Sequence, residues 1–299
     1  MRPLRACRFA AQLNFRIEDK TFKAISDNLD KFKSVSKERI YDELVKTMKS
    51  EKPSITIHLL DKSGLLDLIS GDFSKCKGVK QRERHKYDVF EHLLYTCDYC
   101  PRENTDLRFA GLFHDLGKVS VLKYSEDGTP TFYNHEKVSS EIALSIMTQL
   151  KFPNKKIQKI QHLIANHMFD YNRNWTDAAV RRFIARVGVE HISDLLILQK
   201  ADIRSMNTSP EAFILLDEFE NRISDILSAG NAFTIRDLSI NGHILNEEVS
   251  IPKGPLMGKV LNALLNDVLE NPECNELEIL KKKAKIHYND LGDRETRYS

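Results

Sequence analysis

Three things are scarce in this 299-residue chain: net charge, paired cysteines and long apolar runs. The 45 basic and 43 acidic side chains nearly cancel, leaving a formal charge of +2. A chain-wide attraction to polyanions is thereby excluded, and any affinity for nucleic acid must reside in local basic patches. The cysteines number five, an odd count scattered along the chain, which does not describe a disulfide framework. Cys97 and Cys100 form a lone C-x-x-C with no second pair, so a structural zinc would lack two ligands. They read as helix and helix-end residues in a reduced cytosol, and a cytoplasmic location is expected. No stretch approaches the ~20 apolar residues of a membrane span, so no membrane partner is expected. The first 17 residues carry several arginines and no acid before Glu18, as a transit peptide does. Yet Arg2, Arg5 and Arg8 recur at every third position of an otherwise apolar segment. A packed helix with a basic stripe explains that better.

Strand-type alternation is almost absent too. Apolar residues recur instead at i, i+3 and i+4 along the whole chain. The composition, 41% hydrophobic and 29% charged, is that of an ordinary globular protein, long enough for one large domain or two to three small ones. Helices should start after Ser36, Asp106, Thr176, Ser209 and Asn275, and stop at Gly64, Gly117, Gly188 and Gly230. The exception is Ser125-Glu126-Asp127-Gly128, which reads as the turn of a short hairpin between Leu122–Tyr124 and Thr131–Tyr133. Three stretches differ in character: 1–75, helical and basic; 76–207, holding seven of the ten histidines; and 208–299, helical and histidine-poor.

Chemistry concentrates in Phe113-His114-Asp115-Leu116-Gly117-Lys118, with His92 upstream and Asp202 downstream. Neighbouring side chains on a helix diverge by about 100°, so His114 and Asp115 can serve one site only at a helix end or a close helix crossing. Singly, His92 reads more readily as a satisfied core histidine, and an acid ending the run Leu195–Ala201 is costly to bury unless paired. Together, two histidines and two aspartates suit a divalent metal that activates water against phosphate esters. The residue types do not choose among Mg²⁺, Mn²⁺, Co²⁺ and Ni²⁺. Lys118 adds a positive charge beside the metal for a phosphate. The spacing resembles the HD superfamily of metal-dependent phosphohydrolases. That resemblance implies that His135 and His167 lie near the phosphate or complete a second metal site; otherwise they are polar residues of the cleft rim.

The flanks narrow the reading. Arg2 to Phe15, Val35 to Leu44, His58 to Leu66, Asp237 to Leu245 and Pro252 to Leu265 resemble, in order, successive blocks of bacterial class II tRNA nucleotidyltransferases, the CCA-adding enzymes. The resemblance covers nearly the whole chain and implies an all-α fold: a helical neck/body over 1–75, an α-helical HD domain with one small β-hairpin over 76–207, and a helical body/tail over 208–299. It also implies that nucleotide addition belongs to a head domain with a strand-borne aspartate pair and a glycine-rich phosphate loop, neither of which occurs here. Of the family's Glu-Asp-x-x-Arg motif only the arginine remains, as Arg2. Arg5 and Arg8 match neck arginines that face the nucleotide or the head. The chain is therefore expected to be the C-terminal part of such an enzyme, with a separate head chain as a possible partner.

Arg181, Arg182 and Arg186 share one helical neighbourhood, and Lys281, Lys282, Lys283 and Lys285 form a second basic cluster. The resemblance implies that such surfaces grip tRNA through its phosphates; a solvated helix face is the plainer alternative. Tyr133, Tyr171 and Trp175 are candidate base-stacking residues or core packing. Two other readings compete with a tRNA-binding chain carrying a working phosphohydrolase: a stand-alone HD phosphohydrolase on small nucleotides, and a non-catalytic RNA-binding remnant.

Overall fold

The computed structural model describes residues 1–207 and 209–297, the side chains of 292–297 excepted; Thr208, where the third stretch was expected to begin, lies outside them. Helices make up 68% of the chain, and the only sheet among the described residues has two strands, so the fold is all-α as expected. That sheet is the hairpin. Lys123 faces Thr131 and Tyr124 faces Pro130, antiparallel. Gly128 N–H closes the turn by donating to the Ser125 carbonyl at 2.9 Å, from a φ of +80° that favours glycine. Among the described residues no helix is long and apolar enough to cross a membrane.

The chain forms two compact units: Met1–Asp170 with Ser193–Phe213, and Tyr171–Ile192 with the chain from Ile214 onward. In the first unit the helix Arg2–Leu13 buries Leu4, Cys7 and Ala10 and packs on Lys37–Met48 and Pro53–Lys62. Its basic stripe turns partly inward. Arg8 is buried, and its Nε donates to Glu43 Oε2 at 3.0 Å, while Arg5 Nε and Lys46 Nζ each lie 3.1 Å from Oε1. Burial opposes the charge on Glu43, yet these cations hold its carboxyl below the usual value.

The helix Val89–Tyr99 packs between Pro53–Lys62 and Thr105–Phe113, and Thr105–Phe113 packs in turn on Asn154–Asn166. Arg108, almost wholly buried, ties these elements together. Its guanidinium donates to Cys100 O at 3.0 Å, to Met48 O at 2.6 Å, to Ser50 O, and to Glu51 O at 3.4 Å. These carbonyls follow the C-termini of Lys37–Met48 and Val89–Tyr99, where a fixed cation is favourable. Cys7, Cys76, Cys97 and Cys100 are free and buried. Burial pushes the Cys7, Cys76 and Cys100 thiols up to about 12, which keeps them protonated and poor as metal ligands.

The second unit has two cores. Tyr171 stacks on Phe219 with ring centres 4.1 Å apart, and Trp175 meets both edge-on at 5.7 Å. Two of the three candidate stacking residues are therefore packed against other rings. Leu245, Val260, Leu264, Val268 and Leu280 build the other core, with Pro255–Glu270 lying against Leu277–Arg297.

Thr176 caps its helix as expected, accepting from Ala179 N–H at 3.2 Å. Asp106 does not. Asn104 caps Thr105–Phe113 instead, accepting from Leu107 N–H at 3.2 Å, while the Asp106 carboxylate pairs with Lys156. The last helix starts at Leu277, because Asn275 closes the short 3-10 turn Pro272–Cys274.

Candidate metal centre

His92 lies within Val89–Tyr99, His135 opens His135–Gln149, His114 and His167 each follow the last residue of a helix, and Asp202 stands in the last turn of Val189–Ser205. After Phe113 the backbone tightens: Leu116 N–H donates to Phe113 O at 3.2 Å and Lys118 N–H to Asp115 O at 3.0 Å. The helix therefore ends where it must for His114 and Asp115 to face one point.

Gly117 has another role than the helix stop expected of it. Its φ is −71°, open to any residue. A Cβ there would lie 2.5 Å from Ser139 N and 2.6 Å from His135 O, so it is the close passage of His135–Gln149 that needs glycine. Gly117→Ala is expected to destabilise the protein by about 1–3 kcal/mol through overpacking and to displace His135; a denaturant midpoint unchanged from wild type would contradict this.

The side chains converge closely. His92 Nε2 lies 2.9 Å from Asp202 Oδ1, 3.2 Å from Asp115 Oδ2 and 3.3 Å from His114 Nε2. His114 Nε2 lies 3.2 Å from Asp115 Oδ2 and 3.5 Å from Asp202 Oδ1. The other Asp115 oxygen, Oδ1, faces His135 Nε2 at 3.0 Å and His167 Nε2 at 3.6 Å. All are buried except Asp202, whose side chain is 14% exposed.

The outer nitrogens decide what the inner ones can do. The Nδ1–H groups of His114, His135 and His167 donate to the carbonyls of Gly111, Phe132 and Ile164 at 2.8, 2.7 and 2.7 Å. His92 Nδ1 lies 2.7 Å from Ser205 Oγ, which donates its own proton to Asp202 O and accepts from Thr96 Oγ1. The ring must therefore be the donor. Were all four imidazoles neutral, their Nε2 lone pairs would face two carboxylates, an arrangement of acceptors without a donor. Asp115 Oδ1, Asp202 Oδ1 and His135 Nε2 are buried with no hydrogen-bond partner. Such a cluster needs cations, and it fits a divalent metal with imidazole and carboxylate ligands. Two ligand triplets are close enough to share an ion: His92, His114 and Asp202, and His114, Asp115 and His167.

Protons fill that role when no metal does. Burial opposes charge at His114, but Asp115 and Asp202 raise its pKa to about 10. Burial likewise opposes charge on the two carboxylates; His114 and Lys118 hold Asp115, and His114 and His92 hold Asp202, well below the ordinary 3.8. The sign of the pH dependence follows. The His114 contribution is complete below its ordinary value of 6.5 and is lost as pH rises through about 10. The carboxylate contribution is present above about 3.8 and lost as pH falls further. Chelated protein is expected to be most stable between about pH 4 and 6.5. His114 would have to give up its proton to hold a metal, so metal binding should tighten with pH and release about one proton near pH 7. Calorimetry in buffers of different ionisation enthalpy reads this directly; no proton release would contradict it.

Lys118 Nζ lies 2.5 Å from Asp115 Oδ2 and donates to Gln81 Oε1 at 2.6 Å. His85 packs edge-on against His92, ring centres 5.0 Å apart, and burial chiefly lowers its pKa to about 3, so it is neutral. Gln81, Thr96 and Ser205 escape sequence reasoning because their partners are distant in sequence. Only the i, i+3 spacing of Asp202 and Ser205 offered a signal.

Most of the basic candidates have partners of their own. Arg2 is exposed on the first helix, with Arg5 and Arg8 at Glu43. In the second unit Arg181 donates to the Leu269 and Glu270 carbonyls at 2.6 and 3.0 Å, capping Pro255–Glu270, and Arg182 pairs with Glu270. Lys281 lies 2.6 Å from Glu248 and Lys283 3.1 Å from Asp267, leaving Lys282 and Lys285 as the exposed members of their run. Tyr133 is 74% exposed.

The all-α fold and the sequence blocks that resemble tRNA nucleotidyltransferases agree with comparison to known proteins. Residues 131–284 match the family described as "tRNA nucleotidyltransferase domain 2 putative", and residues 14–73 match "Probable RNA and SrmB- binding site of polymerase A". The chain belongs to the CCA-adding tRNA nucleotidyltransferase family. It is 32% identical over 212 residues to the A-adding tRNA nucleotidyltransferase of Deinococcus radiodurans, covering 68% of this chain and 48% of that protein. It is 27% identical over 276 residues to the CC-adding enzyme of Thermus thermophilus, covering 89% and 61%. The Bacillus stearothermophilus CCA-adding enzyme, solved in complex with CTP, shares the fold with a TM-score of 0.66 at 19% identity, over 98% of this chain and 62% of that one. The chain thus spans about half to three fifths of the length of these relatives.

Proposed function

We propose that this chain is the tRNA-binding portion of a CCA-adding-type nucleotidyltransferase, and that His92, His114, Asp115 and Asp202 hold a divalent metal in a phosphohydrolase centre of the HD type. The observation that carries the second part is the convergence of four Nε2 atoms on two carboxylates, with buried oxygens left unpartnered. A bound metal supplies water of lowered pKa and polarises a phosphoryl oxygen. Lys118, held between Asp115 and Gln81, neutralises charge at the site and is available to a phosphate. His135 and His167, on the far oxygen of Asp115, steady that phosphate or take a second ion. Imidazole ligands favour a transition metal such as Co²⁺ or Ni²⁺ over Mg²⁺. On this reading residues 1–75 and 208–299 are neck/body and tail around an HD domain at 76–207. Arg2 and Arg5 face the nucleotide or the head, Arg8 braces their helix through Glu43, and Arg181, Arg182 and Lys281 to Lys283 lie on the RNA-facing side.

Nucleotide addition to tRNA 3′ ends requires a nucleotidyltransferase head on this reading, because the one sheet among the described residues carries no aspartate. The test is hydrolysis of 2′,3′-cyclic AMP and a 2′-phosphate nucleotide by the purified chain, with Mg²⁺, Mn²⁺, Co²⁺ and Ni²⁺ in turn. Metal-dependent turnover is expected. A folded, metal-loaded chain inert toward every phosphate ester would sink the phosphohydrolase reading and leave the tRNA-binding one standing.

A further inference from the structure

Segment 80–86 reads Lys-Gln-Arg-Glu-Arg-His-Lys and runs along the cluster's edge. Two of its side chains turn toward the site: Gln81 accepts from Lys118 Nζ at 2.6 Å, and His85 lies against His92. The others, Lys80, Arg82, Glu83, Arg84 and Lys86, are exposed, four cations to one acid in a protein whose charges otherwise nearly balance. The segment is pinned at both sides. Asn207 N–H donates to Arg84 O at 2.9 Å, and Arg82 Nε donates to Pro130 O of the hairpin at 3.3 Å. The second strand of that hairpin leads through Phe132, Tyr133 and Asn134 to His135. Tyr133 is 74% exposed and two residues from a side chain that touches Asp115. Lys80 and Arg84 make no ion pair among the described residues. A strip of cations anchored at two points and a solvent-facing aromatic ring thus border a cluster suited to a phosphoryl group.

We propose that Lys80, Arg84, Lys86 and Tyr133 form the docking rim for a single RNA strand whose phosphorylated end enters the His92–His114–Asp115–Asp202 cluster, making an RNA terminus, rather than a free nucleotide, the substrate. This rests on the phosphohydrolase reading for its chemistry but not for the surface. A free mononucleotide presents its phosphate to the cluster and leaves Lys80 and Arg84 without partners, while Lys86 rests 4.9 Å over the Tyr87 ring. A strand presents further phosphodiesters to these cations and a base to Tyr133.

The experiment compares wild type, Lys80→Ala/Arg84→Ala and Tyr133→Ala. One arm measures turnover of 2′,3′-cyclic AMP against a hexaribonucleotide ending in a 2′,3′-cyclic phosphate. The other measures binding of a labelled hexaribonucleotide with a hydrolysis-resistant 3′-thiophosphate, by fluorescence anisotropy across salt. The wild type should prefer the hexamer. The double variant should bind it roughly tenfold more weakly, with a log–log salt slope smaller by about 1.4 for two phosphates. Tyr133→Ala should weaken it at least about fivefold. Turnover of 2′,3′-cyclic AMP should stay within about twofold of wild type in both. Wild type that prefers the cyclic mononucleotide, or variants that bind the hexamer as wild type does, overturn the proposal. If wild type hydrolyses neither compound while hexamer binding still depends on Lys80, Arg84 and Tyr133, the rim stands and the phosphohydrolase reading fails.

Discussion

Replacing Asp115 by alanine is expected to remove metal-dependent hydrolysis by at least about a thousandfold and to abolish stabilisation by metal. No other side chain in the cluster touches so much. Oδ2 lies within 3.2 Å of His92, His114 and Lys118, and Oδ1 faces His135 and His167. Without it, the buried Lys118 ammonium loses its counter-charge, and the imidazoles lose the group that orients them around an ion. Asp115→Asn keeps the volume and separates charge from packing. In wild type, metal at about 100 times its dissociation constant should stabilise the fold by about 2.7 kcal/mol; in either variant that increment should vanish. Thermal melts with and without chelator read it. A variant that still gains stability from metal would place the ion elsewhere.

Arg108→Met is expected to destabilise the protein by about 3 kcal/mol or more, without altering any proposed chemistry. Methionine nearly fills the volume but leaves the carbonyls of Met48, Ser50 and Cys100 without their donor. Each buried carbonyl left unsatisfied costs about 1–3 kcal/mol, with partial relief where water reaches the loop. The compensating term, exchange of a buried cation for an apolar chain, is real but smaller here because the cation sits at two helix C-termini. Equilibrium denaturation decides the matter: a loss below about 1 kcal/mol would mean that water replaces the guanidinium at those carbonyls.

Periodicity and turn chemistry made the helices and the hairpin legible, because both are local. So was the convergence of His92, His114, Asp115 and Asp202, which are ambiguous singly but share a recognisable order and spacing. What holds the set in place was not legible. Ser205 reaches His92 across 113 residues and Gln81 reaches Lys118 across 37, and nothing in the local sequence marks either pairing. Gly117 reads as a helix stop, but its reason is the backbone of a helix 22 residues on. The family resemblance implies that Arg8 faces a nucleotide or head; in the fold it is buried at Glu43, a partner 35 residues away. Arg108 looks like one more charge on an apolar helix until the helix ends it serves are assembled around it. In each case the deciding contact is long-range, and a carbonyl or carboxylate partner leaves no trace in spacing.

The most direct test of the central claim is an anomalous-scattering map of crystals grown with Mn²⁺ or Co²⁺. A peak bounded by His92 Nε2, His114 Nε2, Asp115 and Asp202 Oδ1 is predicted, and it should be lost in Asp115→Ala. A fully occupied peak at any other place, or an ordered cluster with no peak at saturating metal, would contradict the account and leave the histidines as a proton-bridged structural core.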